Sequence, residues 1–335
     1  MRSTAAVRVC VALVAALLAS CVAVVGGATP AVADPEGGSQ SLREQLDAAS
    51  RGYLDAKAKL DLSVKRQQQL TVQSKTVEAE MTQRSAAVAE LAGNVYRVGP
   101  LATVSSLLSS GSAATLMDRM AILEAIATTE DSKVSALRDT RNSVARAKEA
   151  LDAEVAEQQK QLAEMTKRKQ QAERALRQAG GGQVASGPGG SSAATAKPAP
   201  RNADGSWPSE SCSVNDPTTS GCITPRMLHA LNQAKAAGFT RYVSCYRSGG
   251  SGEHPKGRAC DFSAQAGGFG GVATGGDRTY GNNLASFFLG NASRLAVLYV
   301  IWYRRIWLPG SGWRTYNGGG DPASDHTNHV HLSVY

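Results

Sequence analysis

Histidine is scarce in this chain, and long apolar runs are missing after its first residues. Only five histidines occur in 335 residues, so any clustering among them asks for a chemical reason. No Cys-x-x-Cys pair is present, which argues against a zinc site built from cysteines. Beyond Val25 no apolar stretch is long enough to cross a bilayer, so a soluble remainder is expected. There is also no dense basic patch on a recognisable binding fold, and nucleic acid is therefore not an expected partner.

The amino terminus is apolar. Arg2 and Arg8 precede a run from Val9 to Val25, and Ala31-Val32-Ala33 before Asp34 has the small-x-small form of a signal-peptidase site. Residues 1–33 are expected to be a signal peptide, giving a secreted or cell-wall protein. A lipoprotein anchored at Cys21, after Leu18-Ala19-Ser20, is the alternative; a retained transmembrane anchor is a third. Removing two arginines takes the formal charge from +8 to +6. Residues 212–335 hold 11 basic and 6 acidic side chains, so the excess cation sits there and suits an anionic polymer or wall surface. The four cysteines outside the signal also lie there, and short sequential loops favour Cys212 with Cys222 and Cys245 with Cys260.

From Leu42 apolar residues step by four and three through Leu46, Ala49, Tyr53, Ala56 and Leu60 and on to Leu91, with no proline between. That is coiled-coil spacing. A second such stretch runs from about Glu130 to Gln178. Two long helices with imperfect seams predict an antiparallel hairpin over 34–179, a parallel homodimer being the alternative. Between them, Gly99-Pro100 and Gly111 break a segment dense in Leu, Met and Ile. Short helices are expected at this tip, with more apolar side chains than a two-helix end easily covers, which suggests a docking site, packing of those side chains on the hairpin itself being the alternative. The pattern over 41–179 resembles the coiled-coil domains that precede cell-wall hydrolases regulated by the FtsEX membrane complex, which implies a membrane regulator of that type as partner.

Residues 180–206, opening on Gly180-Gly181-Gly182, are rich in Gly, Ser, Ala and Pro and are expected to be a flexible linker that lets the next domain move independently. Residues 207–335 are expected to form an α+β domain with its own core. Thr224 and Pro225 open a helix that stops at Gly238. Strands are expected over Arg241–Tyr246, Arg258–Ser263, the run "LAVLYVIWY" and the closing "HVHLSVY", with a helix near Asn283–Ala292.

His229 is expected to be a solvated residue on the first helix of that domain. The others are His254, His326, His329 and His331. On the last strand His329 and His331 share one face while Val330, Leu332 and Val334 take the other. Asp261 on a neighbouring strand and His254 from the loop before it can join them. A His, Asp, His set with an open fourth position is what a catalytic zinc needs; a closed zinc site, or histidines that merely hydrogen-bond, are the alternatives.

Here "GEHPKGRACDF" resembles the Ser-x-His-x-x-Gly-x-Ala-x-Asp signature of the LAS metallopeptidases, the superfamily of lysostaphin-type, D-Ala-D-Ala and murein peptidases. His254, Gly257, Ala259 and Asp261 match, and Gly252 stands where the serine would be. His329-Val330-His331 is similar to the second motif, His-x-His, and "SCYRS" resembles the Tyr-Arg-Ser segment of the D-Ala-D-Ala and L-Ala-D-Glu branch. The region also looks like an actinobacterial secreted family in which this domain follows a coiled coil. The resemblance implies an antiparallel sheet of the LAS type, Zn2+ held by His254, Asp261 and His331, and Arg247 as a substrate-binding residue. Where the carboxypeptidase branch has Glu-x-x-His, this chain has Asn328 three residues before His331. The pattern His326-x-x-His329-x-His331 resembles the murein endopeptidase branch and implies His329 as the base with His326 assisting. Glu253 is expected to point away from the site, Asp325 to orient a histidine, and "GGFGGVATGG" to form a mobile rim loop. The expected function is hydrolysis of an amide bond in peptidoglycan peptides; the alternative is a non-catalytic wall-binding or division scaffold with a degenerate domain.

Overall fold

The computed structural model of the chain describes residues 38–99, 104–105, 107–109 and 111–335. The expected signal peptide and Cys21 lie outside the described residues. Among these, no helix is long and apolar enough to cross a membrane.

Helix α1 spans Gln40–Val98 and is opened by Ser39, whose hydroxyl accepts from the Leu42 N–H. Helix α2 spans Ala113–Gln178, with Ser112 in the same role. The second helix therefore starts 17 residues before the expected Glu130. Thr115, Leu116, Met117 and Met120 are tolerable helix residues once Ser112 has satisfied the first turn, so propagation continues where the seam is poor. The two helices run antiparallel. Ser63 bonds Glu154, and Gln67 bonds Gln158. Near the tip Tyr96, Leu108, Met117, Met120, Ile122 and Ile126 are exposed.

The carboxy-terminal part adds helices α3 (Pro225–Ala236), α4 (Gly275–Gly290) and α5 (Ala292–Leu295). Strands β1 (Val214–Asn215) and β2 (Cys222–Ile223) form a small ribbon. A six-stranded antiparallel sheet contains β3 (Val243–Ser244), β4 (Ala259–Ser263), β5 (Val297–Ile301), β6 (Arg305–Leu308), β7 (Gly312–Thr315) and β8 (His329–Val334). Its order is β3-β4-β8-β5-β6-β7, so the histidine-bearing strand is central. The β6–β7 hairpin was not among the expected strands. Its outer strand is partly exposed and carries Trp and Arg without a clean apolar alternation.

Alternation assigns the two faces. Phe262, Val300, Val330, Leu332 and Val334 pack with Met227, Leu231, Leu284, Phe287 and Phe288 of α3 and α4. The other face carries Asp261, His329 and His331, with Tyr299, Ile301, Ile306 and Leu308 beside them. That second group is buried by the base of the hairpin, through Leu42, Leu46, Ala49, Ala172, Ala175 and Leu176. The result is three layers: hairpin, sheet, helices.

Two expectations about mobility are corrected. Asp34–Tyr335 is one compact unit, and residues 180–206 are a strap held to it. Val184 pairs with Arg314 along β7, Ser191 N–H donates to Asn283, Ala196 N–H to Asn291, and Ala199 N–H to the Arg294 carbonyl. Low side-chain bulk, which reads as flexibility, here lets backbone lie close against the domain. His229 is likewise not merely solvated, since its Nε2 lies 2.8 Å from the Lys197 carbonyl of the strap.

Both disulfides form as expected, Cys212–Cys222 and Cys245–Cys260. They suggest an extracellular environment.

Candidate metal centre

The register of β4 and β8 puts Asp261 directly opposite His331. Cα partners in an antiparallel pair share a face, so the carboxylate and the imidazole meet without help from a loop. His254 arrives through a turn that needs a glycine. Gly257 has φ +67°, and a Cβ there would lie 2.7 Å from Ile223 Cα and 2.9 Å from the Cys222 carbonyl oxygen. Its N–H donates to the His254 carbonyl, and its carbonyl accepts from Thr224. The His-x-x-Gly spacing thus has a physical reason: the chain must reverse tightly between ligand and strand.

Three ligand atoms converge. His254 Nε2 lies 3.2 Å from Asp261 Oδ1 and 3.3 Å from His331 Nδ1, and His331 Nδ1 lies 2.9 Å from Asp261 Oδ1. Donors about 2.0–2.1 Å from a tetrahedral zinc stand about 3.3 Å apart, so the set fits such an ion. His254, Asp261 and His331 are together a buried group that could hold a metal. The outer atoms of each ligand are already engaged. His254 Nδ1 donates to the Cys245 carbonyl, so its proton is there and Nε2 turns a lone pair inward. His331 Nε2 is 2.8 Å from Ser333 Oγ. Asp261 Oδ2 accepts from Arg247 at 2.9 Å, leaving Oδ1 for the centre.

Burial alone would raise the Asp261 pKa, but the facing His254 and His329 outweigh it and hold the carboxyl well below its usual range. Burial pushes the His331 imidazole down to about 4, with Asp261 offsetting part of the effect. Burial, with His329 and His331 nearby, pushes His326 well down. A neutral imidazole beside a carboxylate is the form that binds a cation.

His329 stands at the border of the triplet. Its Nε2 is 3.4 Å from Asp261 Oδ1, and its Nδ1 is 2.7 Å from Asn328 Oδ1. The Asn328 amide nitrogen donates to the Gly270 carbonyl, which fixes which way Asn328 faces. His326 sits behind, its ring centre 4.7 Å from that of His329. Its Nδ1 is bound to the Ser324 carbonyl, and its buried Nε2 has no hydrogen-bond partner. His326 has φ +53°, an uncommon backbone state for a non-glycine residue. Tyr303 and Arg304, also at positive φ, stabilise it by donating to the carbonyls of His326 and Asp325.

The structure brings His254, Asp261 and His331 together, with Arg247 on Asp261 and with His329 and His326 alongside. Asp325 is corrected: it orients no histidine. Its carboxylate accepts from Arg304 at 2.7 Å and from the N–H groups of Gly318 and Gly320, tying down the loop before β8. Glu253 does turn away from the metal group, but into an interface, where it pairs with Arg51 of α1, Lys256 and Arg258. The glycine-rich segment is tied at two carbonyls, Gly268 and Gly270, and Phe269 packs edge-on to His329.

Four contributors escaped the sequence reading. Ser333 is two residues from His331 on an alternating strand, so its position was readable in principle. The Cys245 carbonyl, the Tyr299 ring stacked 5.5 Å from His331 and Arg43 of the hairpin come from distant chain and leave no local signal.

A family model described as VldE, C-terminal domain matches residues 219–327. The match takes in Arg247, His254, Asp261 and His326 and stops short of His329 and His331. No curated protein and no solved structure matches the chain.

Proposed function

We propose that the chain is a zinc metallopeptidase of the LAS type that hydrolyses an amide bond in peptidoglycan peptides. The observation that carries this is the mutual spacing of His254 Nε2, Asp261 Oδ1 and His331 Nδ1, three inward-facing donors with His329 on their border. When bound, zinc supplies a Lewis acid that polarises the scissile carbonyl and acidifies a water. The remaining roles belong to the protein. His329 takes a proton at Nε2 while its Nδ1–H stays on Asn328, which orients the ring. His326, neutral and adjacent, lets His329 carry that charge without a second cation beside it. Arg247 fixes Asp261 through Oδ2, and a planar guanidinium is the side chain suited to a carboxylate of the stem peptide.

The basic excess of the carboxy-terminal part and the disulfides support a secreted protein acting on the anionic wall. The exposed apolar tip of the hairpin supports docking to a membrane regulator of the FtsEX type.

The test is mass spectrometry of defined peptidoglycan fragments incubated with the zinc-loaded full chain, alongside His329→Ala and a chelator control. A product lost in both controls carries the reading and identifies the bond. A folded chain that takes up no stoichiometric zinc and yields no product overturns it.

A further inference from the structure

We propose that the groove between helix α1 and the strap binds an acidic glycan strand, at a site separate from the metal centre. The inference stands on the chemistry of the groove itself and does not need the peptidase reading.

The groove has a volume of about 810 Å³, the size that takes a short oligomer segment rather than a single ion. Its lining comes from α1 between Tyr53 and Lys65, from residues 198–207, and from α5, the start of β5 and the β6–β7 turn. None of His254, Asp261 and His331 lines it. Val297, which does, stands four residues before Ile301, the partner of His331 in the sheet. Four residues of strand put it about 13 Å from that ligand row.

Two features select the ligand. The first is an apolar and aromatic lining, to which Tyr53, Leu54, Leu62, Trp207, Val297 and Trp307 contribute. The second is positive charge that the protein positions and does not neutralise. Arg201 donates to the carbonyls of Gly205 and Ser293 and lies 3.4 Å from the centre of the Trp207 ring. Among the described residues no carboxylate pairs with it. Burial lowers the Arg201 pKa, and Asp61 of α1 offsets part of this from the other wall. Yet Asp61 itself pairs with Lys57 at 3.0 Å, and Asp204 is taken by the N–H and hydroxyl of Ser206. Lys57, Lys65, Arg201 and Arg294 against Asp61 and Asp204 leave the lining at a net charge of +2. A polyphosphate would answer the charge and leave the aromatic lining bare, while a neutral polysaccharide would do the reverse. An acidic glycan answers both, because the C–H face of a sugar ring packs on the negative face of an aromatic ring and its carboxylates pair with Arg and Lys. An extended peptide would need a strand edge to pair with, but β5 and β6, the strands that line the groove, are each paired on both sides.

The experiment is calorimetric titration of the full chain with peptide-free glycan strands of peptidoglycan, which carry carboxylates and offer no stem-peptide bond to cut. Chitin oligosaccharide supplies rings without charge, polyglycerol phosphate charge without rings, and polyglutamate an acidic peptide. Lys65→Glu/Arg294→Glu reverses two exposed cations of the lining, Lys65→Gln/Arg294→Gln is the milder form, and circular dichroism reports folding. The expected result is that the acidic glycan binds the parent more tightly than any of the other three polymers. Its affinity should fall at least tenfold in the folded Glu variant, weaken as salt is raised and stay the same with zinc or with chelator. Equal affinity in parent and folded variants overturns the site, as does an absence of binding to the parent. Another polymer binding as tightly as the acidic glycan overturns the ligand assignment, and binding that requires zinc moves the glycan to the metal centre. Because the strands hold no scissile peptide, an inactive metal centre sinks the peptidase reading and leaves this result standing.

Discussion

Replacing Ser333 by alanine should weaken zinc binding without touching a ligand. Ser333 is fully buried on β8, and its hydroxyl is the partner of His331 Nε2. Without it the imidazole loses the bond that sets its orientation and tautomer, and a buried nitrogen is left bare. Losing such an outer partner typically costs about 10- to 100-fold in metal affinity, and leaving the nitrogen unsatisfied costs about 1–3 kcal/mol of stability. At zinc held at about 100 times the parent Kd, the metal stabilises the parent by about 2.7 kcal/mol; in the variant the same zinc gives about 1.4 or 0.4 kcal/mol, for tenfold or hundredfold weaker binding. Two readouts are needed. Competition with a chromogenic chelator gives Kd, and thermal unfolding with and without zinc gives the stabilisation. Val334→Ala is the control. It faces the opposite core at 0 % exposure, so it should lose about 1.5–3 kcal/mol of apolar burial while leaving Kd unchanged. A folded Ser333→Ala chain with the parent Kd would refute the assignment of His331 as a ligand through Nδ1.

His331→Ala should leave no stoichiometric zinc after dialysis, read by elemental analysis, whereas His229→Ala should keep it. Mutating Cys245 and Cys260 together opens a loop of sequence separation 15, worth about 3 kcal/mol. Because the Cys245 carbonyl holds His254 and Cys260 adjoins Asp261, zinc affinity should fall with stability, which chelator competition would detect. Phe288→Ala, at 0 % exposure against Phe262 and Phe287, should cost about 3–5 kcal/mol in denaturant unfolding. The Asp216 carboxyl is subject to burial, which raises its pKa, but hydrogen bonds from Thr219, Tyr246 and Thr218 outweigh this and hold it below its usual value. A depressed folded pKa stabilises above the unfolded pKa and loses that contribution as pH falls through the folded one. Asp216→Asn should therefore flatten the acid side of the stability curve, and an unchanged acid midpoint would argue against it.

Much of this molecule was written locally. The four-and-three spacing from Leu42, the caps at Thr224 and Ser39, and the alternation of His329, Val330, His331 and Leu332 each follow from the geometry of one element, so a few neighbouring residues suffice to read them. The short loops between Cys212 and Cys222 and between Cys245 and Cys260 belong to the same class. The His-x-x-Gly-x-Ala-x-Asp pattern from His254 to Asp261 is legible because the turn at Gly257 and the start of β4 are local too.

Where packing between distant segments decides, the sequence was silent or misleading. Residues 180–206 have the composition of a tether, yet what keeps them in place is Asn283, Asn291 and Arg314, far along the chain. Asp325 lies one residue from His326 but turns to Arg304 and two glycine amides, because the loop doubles back. The contact that covers the metal face joins Arg43 to Ser251 and Arg51 to Glu253 across about 200 residues of sequence. An amphipathic helix shows that it has an apolar face, and only the tertiary structure decides which surface that face is laid against.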